Sequence, residues 1–280
     1  GIEKVVIDGK TTWLVDQDGN SSFSTITGAY TAAAAGETVL VADGLYSEAL
    51  TIEKSITLLS ANGRDAVTIE NTSSAVKDGV AIEIKGGVDD VRIGAVNKGF
   101  TIKGTDSTFT ASDYASILIF NSVDAYAGLV IEGNRVTANG EGGLTTMAGA
   151  NISGAQIIGN IFDGQTFVGT NPGGDADSGF NTTVTFNTGS GTVTGGLQWT
   201  VPNVPRQLVV ISGGTGVTFS GNEVTGTAGG QVVADPLNPW VTAGAFGNTL
   251  VTIDTPNAVI TDNTFTGYTV NGASLRIGGN

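Results

Sequence analysis

Apolar residues recur along this chain in short alternating runs, each closed by a turn former. Thr38-Val-Leu-Val-Ala42, Leu50-Thr-Ile52, Ile56-Thr-Leu-Leu59 and Val67-Thr-Ile69 are such runs, and an Asp43-Gly44 turn separates the first two. β-branched residues in period-two alternation between Gly, Asn and Asp read as strands. Residues 3–8 read the same way, and Asp18-Gly19 makes a turn. One segment breaks the pattern. Ile26, Ala29, Tyr30 and Ala33 fall at helical spacing, which predicts a short helix over 24–35, capped by Ser24 and ended by Gly36.

Further on, one phrase keeps returning. Leu129-Val-Ile-Glu-Gly-Asn134, Ala155-Gln-Ile-Ile-Gly-Asn160, Val217-Thr-Phe-Ser-Gly-Asn222 and Ala258-Val-Ile-Thr-Asp-Asn263 are β-runs ending in Asn, each followed by a second β-run. A phrase repeated at this period means a coil stacked on copies of itself. From residue 81 the coils lay out as three strands each, the first at 81–85, 90–94 and 99–103; a last strand at 273–277 opens a coil that is not completed. Asn134, Asn160, Asn222 and Asn263 then form a vertical ladder at a sharp corner. Asn tolerates left-handed backbone there, and its amide donates to one neighbour while accepting from another. The functional alternative for the same row is a polar binding track.

The ladder also serves as a ruler. Successive asparagines are 26, 62 and 41 residues apart, which predicts insertions at 165–206 and 227–248 on one edge of the stack, beside an earlier loop at 105–114. Loops on one edge of a solenoid carry its variable function.

The opening of the chain carries a resemblance. Phe23-Ser-Thr-Ile26, Ala35-Gly-Glu-Thr-Val-Leu-Val41, Asp43-Gly-Leu-Tyr-Ser-Glu48, Leu50-Thr-Ile52, Lys54-Ser-Ile-Thr-Leu-Leu59 and Ala61-Asn-Gly63 resemble the start of right-handed parallel β-helix proteins, pectin methylesterases and large bacterial secreted or cell-surface proteins among them. The match covers roughly residues 15–70. It implies an all-β chain: one single-stranded right-handed parallel β-helix over 1–280, with a helical cap and first coils in 1–70 and two edge loops. It further implies an extracellular or cell-surface location.

Composition narrows the partners. Gly is 43 of 280 residues, apolar residues are 40%, and the net charge is −14. Regular apolar spacing at that share excludes disorder, and the charge disfavours nucleic acid. No apolar run approaches a membrane span, and no segment reads as a signal peptide. The chain lacks Cys and His, so disulfides are absent and the commonest general base and zinc ligand are missing.

The chemistry of the resembling enzymes is not spelled out here. Esterases of that family set two aspartates and an arginine on the first-strand sheet, and Asp124 and Asp163 lack the matching context. Lyases there need paired cations, whereas Lys85, Arg206 and Arg276 fall on separate coils; Asp254 lacks the adjacent carboxylate of a glycosidase. Trp199 and Trp240, with Tyr114, Phe167 and Phe180, are candidates for an aromatic wall on which sugar rings stack, or for loop anchors. Asp175 and Asp177, or Asp89 and Asp90, are candidate Ca²⁺ ligands, with a solvated acidic loop as the alternative. Glu3, Val5 and Ile7 at one end and Leu275 and Ile277 at the other are candidates for head-to-tail strand addition. The expected function is a structural or adhesive surface module that self-assembles or binds polysaccharide. The alternatives are a polysaccharide-active enzyme and a phage or appendage fibre component.

Overall fold

The computed structural model describes residues 1–7, 9–73, 75–76, 79–105, 115–120, 124–137, 143–146, 150, 152–163, 182–185, 192–194, 198–202, 209–212, 216–227, 251–254, 256–266 and 275–278. Two strands, β1 (Lys4–Ile7) and β2 (Lys10–Val15), open the chain as an antiparallel hairpin. The helix α1 (Ile26–Ala32) follows. Its N-cap is Thr25 rather than Ser24: the Thr25 hydroxyl accepts from the Gly28 N–H at 3.2 Å, and the Glu48 carboxylate accepts from the N–H groups of Ile26 and Thr27. The first-turn donors are thereby satisfied. The helix closes at Ala33, earlier than Gly36, and Lys54 Nζ donates to the Ala33 carbonyl.

The remaining strands come in rounds of three. Round one is β3 (Thr38–Val41), β4 (Gly44–Tyr46) and β5 (Leu50–Ile52); round two is β6 (Ile56–Ser60), β7 (Val67–Glu70) and β8 (Ile82–Ile84). Round three is β9 (Val91–Ile93), β10 (Thr101–Lys103) and β11 (Ile117–Ile119); round four is β12 (Val130–Glu132), β13 (Arg135–Thr137) and β14 (Leu144–Thr146). Round five is β15 (Gln156–Ile158), β16 (Ile161–Asp163) and β17 (Thr182–Thr185); round six is β18 (Thr192–Thr194), β19 (Gln198–Pro202) and β20 (Val209–Ser212). Round seven is β21 (Thr218–Ser220), β22 (Glu223–Thr227) and β23 (Val251–Asp254); round eight is β24 (Val259–Thr261), β25 (Thr264–Thr266) and β26 (Leu275–Gly278).

Each strand pairs with its counterpart one round away. The first sheet runs β1-β2-β3-β6-β9-β12-β15-β18-β21-β24, the second β4-β7-β10-β13-β16-β19-β22-β25, and the third β5-β8-β11-β14-β17-β20-β23-β26. Register stacks like on like. Val39, Leu58, Ile93, Ile131 and Ile157 form one inward row of the first sheet, and Tyr46, Ile69, Ile102, Val136 and Phe162 one of the second. These side chains are all buried in one apolar cluster, which is the main source of stability in a structure of such short strands.

These pairings correct the expected all-parallel right-handed β-helix with two edge loops. The first sheet is mixed, because β1 and β2 run antiparallel; the other two sheets are parallel, and one short helix accompanies them. Residues 165–206 are not one loop either. They contain β18 and β19 and the strand β17 that completes round five, each hydrogen-bonded into its own sheet. The asparagine ruler skipped this round because Leu197 stands immediately before β19, where Asn134 and Asn160 precede β13 and β16. Of 227–248, only Thr227, the end of β22, lies among the described residues.

Candidate functional site

The corner between the first and second sheets is built in two ways. In rounds four and five it is two residues wide, Gly133-Asn134 and Gly159-Asn160. The left-handed residue is the glycine, at φ 70° and 60°, not the asparagine; in round eight Asp262 takes this place at φ 57°. A Cβ on Gly133 would stand 2.4 Å from the Ala95 carbonyl oxygen. The asparagines point inward as a ladder. Asn160 Oδ1 accepts from the backbone N–H of Asn134 at 2.9 Å and from its Nδ2 at 3.1 Å, while Asn160 Nδ2 donates to the Ile131 carbonyl at 2.8 Å. Asn134 in turn accepts from the Phe100 N–H and donates to the Ile93 carbonyl, both at 2.9 Å. Asn222 and Asn263 repeat the pair: Asn263 Oδ1 accepts from the Asn222 N–H at 3.0 Å and from its Nδ2 at 2.9 Å. The ladder satisfies backbone groups that a buried corner would otherwise leave bare.

In rounds two and three the same corner is wide. Residues 61–66 link β6 to β7, and 94–100 link β9 to β10. Buried Ser60 replaces the amide here: its hydroxyl donates to the Gly99 carbonyl at 2.6 Å and accepts from the Gly63 N–H at 2.9 Å. The wide loops and the narrow corners border one another. Between them lies a groove of about 380 Å³, floored by Glu132, Gly133, Ile158 and Gly159 and walled by 62–65 and 96–97.

Three arginines serve this groove, out of five in the chain. Arg64 reaches past round three, and its Nη1 donates to the carbonyls of Gly133 at 3.3 Å and Gly159 at 3.4 Å. Arg92 pairs with Glu132 at 2.5 Å, and Arg135 with Asp65 at 3.0 Å. Both carboxylates are therefore matched, and no ion pair to Arg64 occurs among the described residues.

No family model, no curated protein and no solved structure matches this chain.

The groove lies away from the cations expected from the sequence, which belong to the first-strand sheet, the third sheet here. There Lys85 is held by Glu83 at 3.0 Å and lies 4.2 Å over the Phe120 ring. Arg276 sits on β26 in register with Thr252, Asp254 ends β23 and Asp163 ends β16 in another sheet; Arg206 lies outside the described residues. Of the proposed aromatic wall, Trp199 lies on β19 in register with buried Phe162. Tyr114, Phe167, Phe180 and Trp240 lie outside the described residues, as do Asp175 and Asp177. Asp89 accepts from the Ala127 N–H at 3.1 Å, and no cluster of three metal-ligating side chains occurs among the described residues. No helix among them is long and apolar enough to cross a membrane.

The assembly candidates fall at opposite ends and in different sheets. Val5 and Ile7 are on β1, at the edge of the first sheet, with Glu3 just before it; Leu275 and Ile277 are on β26, at the edge of the third. Val6 is 59% and Ile277 62% exposed.

The shifted titrations serve structure. Trp13 Nε1 donates to Glu37 Oε2 at 2.6 Å and the Ala34 N–H donates to the same oxygen at 2.7 Å, which holds the Glu37 carboxyl below its ordinary range. Burial raises the phenols of Tyr30, Tyr126 and Tyr46, the last to about 12, and lowers the Lys54 ammonium.

Proposed function

We propose that this chain is a structural or adhesive module acting outside the cell or at its surface, where it holds polysaccharide without transforming it. The observation that supports this reading is the use made of its charges. Glu37 ties Trp13 to the segment after α1, Glu48 caps the helix, and Arg135–Asp65 and Arg92–Glu132 brace one round against another. Acid–base catalysis needs a group whose proton affinity is tuned toward neutrality beside a second group for substrate. Glu37, Glu48, Asp65 and Glu132 are instead engaged in bracing the scaffold. Retention on immobilised neutral and acidic polysaccharides tests the reading, with the eluate followed for unsaturated sugars and released acid. Retention without turnover is expected; turnover overturns the module in favour of an enzyme.

A second reading, self-association, is favoured by β1. It is an edge strand with Val5 and Val6 exposed, and such edges add strands from other chains. Light scattering across a concentration series checks it: mass should rise with concentration and fall back in Val6→Lys, and a constant mass rules it out.

A further inference from the structure

We infer that the corner groove is an anion-reading saccharide site, in which Arg64 binds a carboxylate or sulfate group carried on a sugar chain lying along the stack. This rests on the adhesive reading above and gives it a place and a ligand class.

The argument starts from charge. In a chain of net charge −14, the corner brings together three of the five arginines. Two are neutralised by Glu132 and Asp65, so an incoming anion meets no uncompensated carboxylate from these two residues. Arg64 holds its position through Nη1 alone, anchored on two carbonyls. Among the described residues its Nε and Nη2 have no partner. An arginine fixed by one nitrogen and open on the others offers the planar fork that carboxylates and sulfates accept.

The shape points to a sugar chain rather than a lone ion. The walls and floor come from four successive rounds, β6–β7 through β15–β16, and strand spacing of about 4.8 Å makes that a trough of roughly 14 Å. Asn62, Asn97, Val96, which is 70% exposed, and Ile158 also line it; the Asn62 Nδ2 donates to Asp43, which leaves its Oδ1 to accept from a hydroxyl. Amides for hydroxyls, an apolar strip for ring faces and one cation for an acidic substituent are the contacts an acidic oligosaccharide needs.

Calorimetry on the intact chain tests this with four probes: trigalacturonate, a sulfated galactan trisaccharide, neutral galactotriose, and sodium acetate or sulfate. At least one charged trisaccharide should bind, more weakly as salt rises, and galactotriose should bind at least about tenfold more weakly. Val96→Glu changes an exposed residue, so folding should persist; it should weaken the charged trisaccharide roughly tenfold by repulsion, while Val96→Lys should not weaken it. Arg64→Lys keeps the charge without the fork and should also weaken binding. Equal binding of the neutral trisaccharide, or indifference to Val96→Glu and Arg64→Lys, overturns the groove while leaving the adhesive reading intact. Equal binding of acetate or sulfate overturns the saccharide part. If neither charged trisaccharide binds, the site falls, and retention on whole polysaccharide decides the adhesive reading separately.

Discussion

The wide corner of rounds two and three and the narrow corner of rounds four and five solve one problem with different chemistry. Both carry the chain from the first sheet to the second, and both bury polar backbone. The narrow corner needs a left-handed glycine and an inward amide, and its only ionised partner among the described residues comes from the wide side, where Arg64 donates to the two glycine carbonyls. The wide corner uses a serine hydroxyl inside and a guanidinium outside, and it draws on Arg135 and Asp65 as well. The difference shows how a repetitive scaffold acquires a feature. Where the corner changes width a trough opens, lined by Arg64 and Asp65 from the wide side and by Glu132 from the narrow side.

The comparison breaks most sharply at the glycines. Gly133→Ala forces a Cβ into the Ala95 carbonyl at a positive φ, and denaturant unfolding should show a loss of about 3 kcal/mol or more. Gly154→Ala, at φ 79° with nothing near its Cβ, should cost only about 1 kcal/mol. Equal losses would mean the tight contact at Gly133 is relaxed elsewhere. Next, Asn134→Ala strands the Phe100 N–H and the Ile93 carbonyl in the interior and should cost about 3 kcal/mol, against about 2 for Ser60→Ala in the wide corner. A reversed order would mean the hydroxyl, not the amide, is the stronger corner device.

Acid should act at the N-terminal end, outside both corners. The Glu37 carboxyl is held below its ordinary value of 4.5, chiefly by the Trp13 indole, so its contribution is complete above 4.5 and is lost as pH falls through the lowered value. Stability of the N-terminal rounds should therefore decline below that pH. Glu37→Gln, which does not titrate, should flatten this part of the profile; an unchanged profile assigns the acid sensitivity to other groups. The smallest effect belongs to Asp65→Asn. Asp65 is 79% exposed, so losing its pair with Arg135 should cost about half a kcal/mol or less, shrinking further in high salt.

Much of this architecture is legible in the residues. Alternation marks most strands of rounds one to five, though not β4, whose Asp43-Gly44 start reads as a turn, nor β17, which falls in the expected insertion; the Gly-Asn phrase marks the narrow corners, because a two-residue reversal admits few residue types. Where the legibility stops has physical reasons. β2 escaped notice because it opens Lys10-Thr-Thr, and its buried residues are only Trp13 and Val15. Round six escaped because Leu197 replaces the amide that served as the marker. The corner backbone was assigned to Asn, the more conspicuous residue, when the glycine before it carries the left-handed turn. The groove is the least legible of all. Arg64 meets carbonyls 69 and 95 residues away, and backbone carbonyls leave no mark in a sequence.

Arg64 has a second consequence, for cooperativity. In a stack of rounds each unit ordinarily touches only its neighbours, and such arrays tend to melt piecemeal from their ends. The hydrogen bonds of Arg64 and the Arg135–Asp65 pair skip over round three and join round two to rounds four and five. Opening any one of these rounds alone breaks bonds in another. Rounds two, four and five are thereby coupled beyond the nearest-neighbour contacts of the sheets.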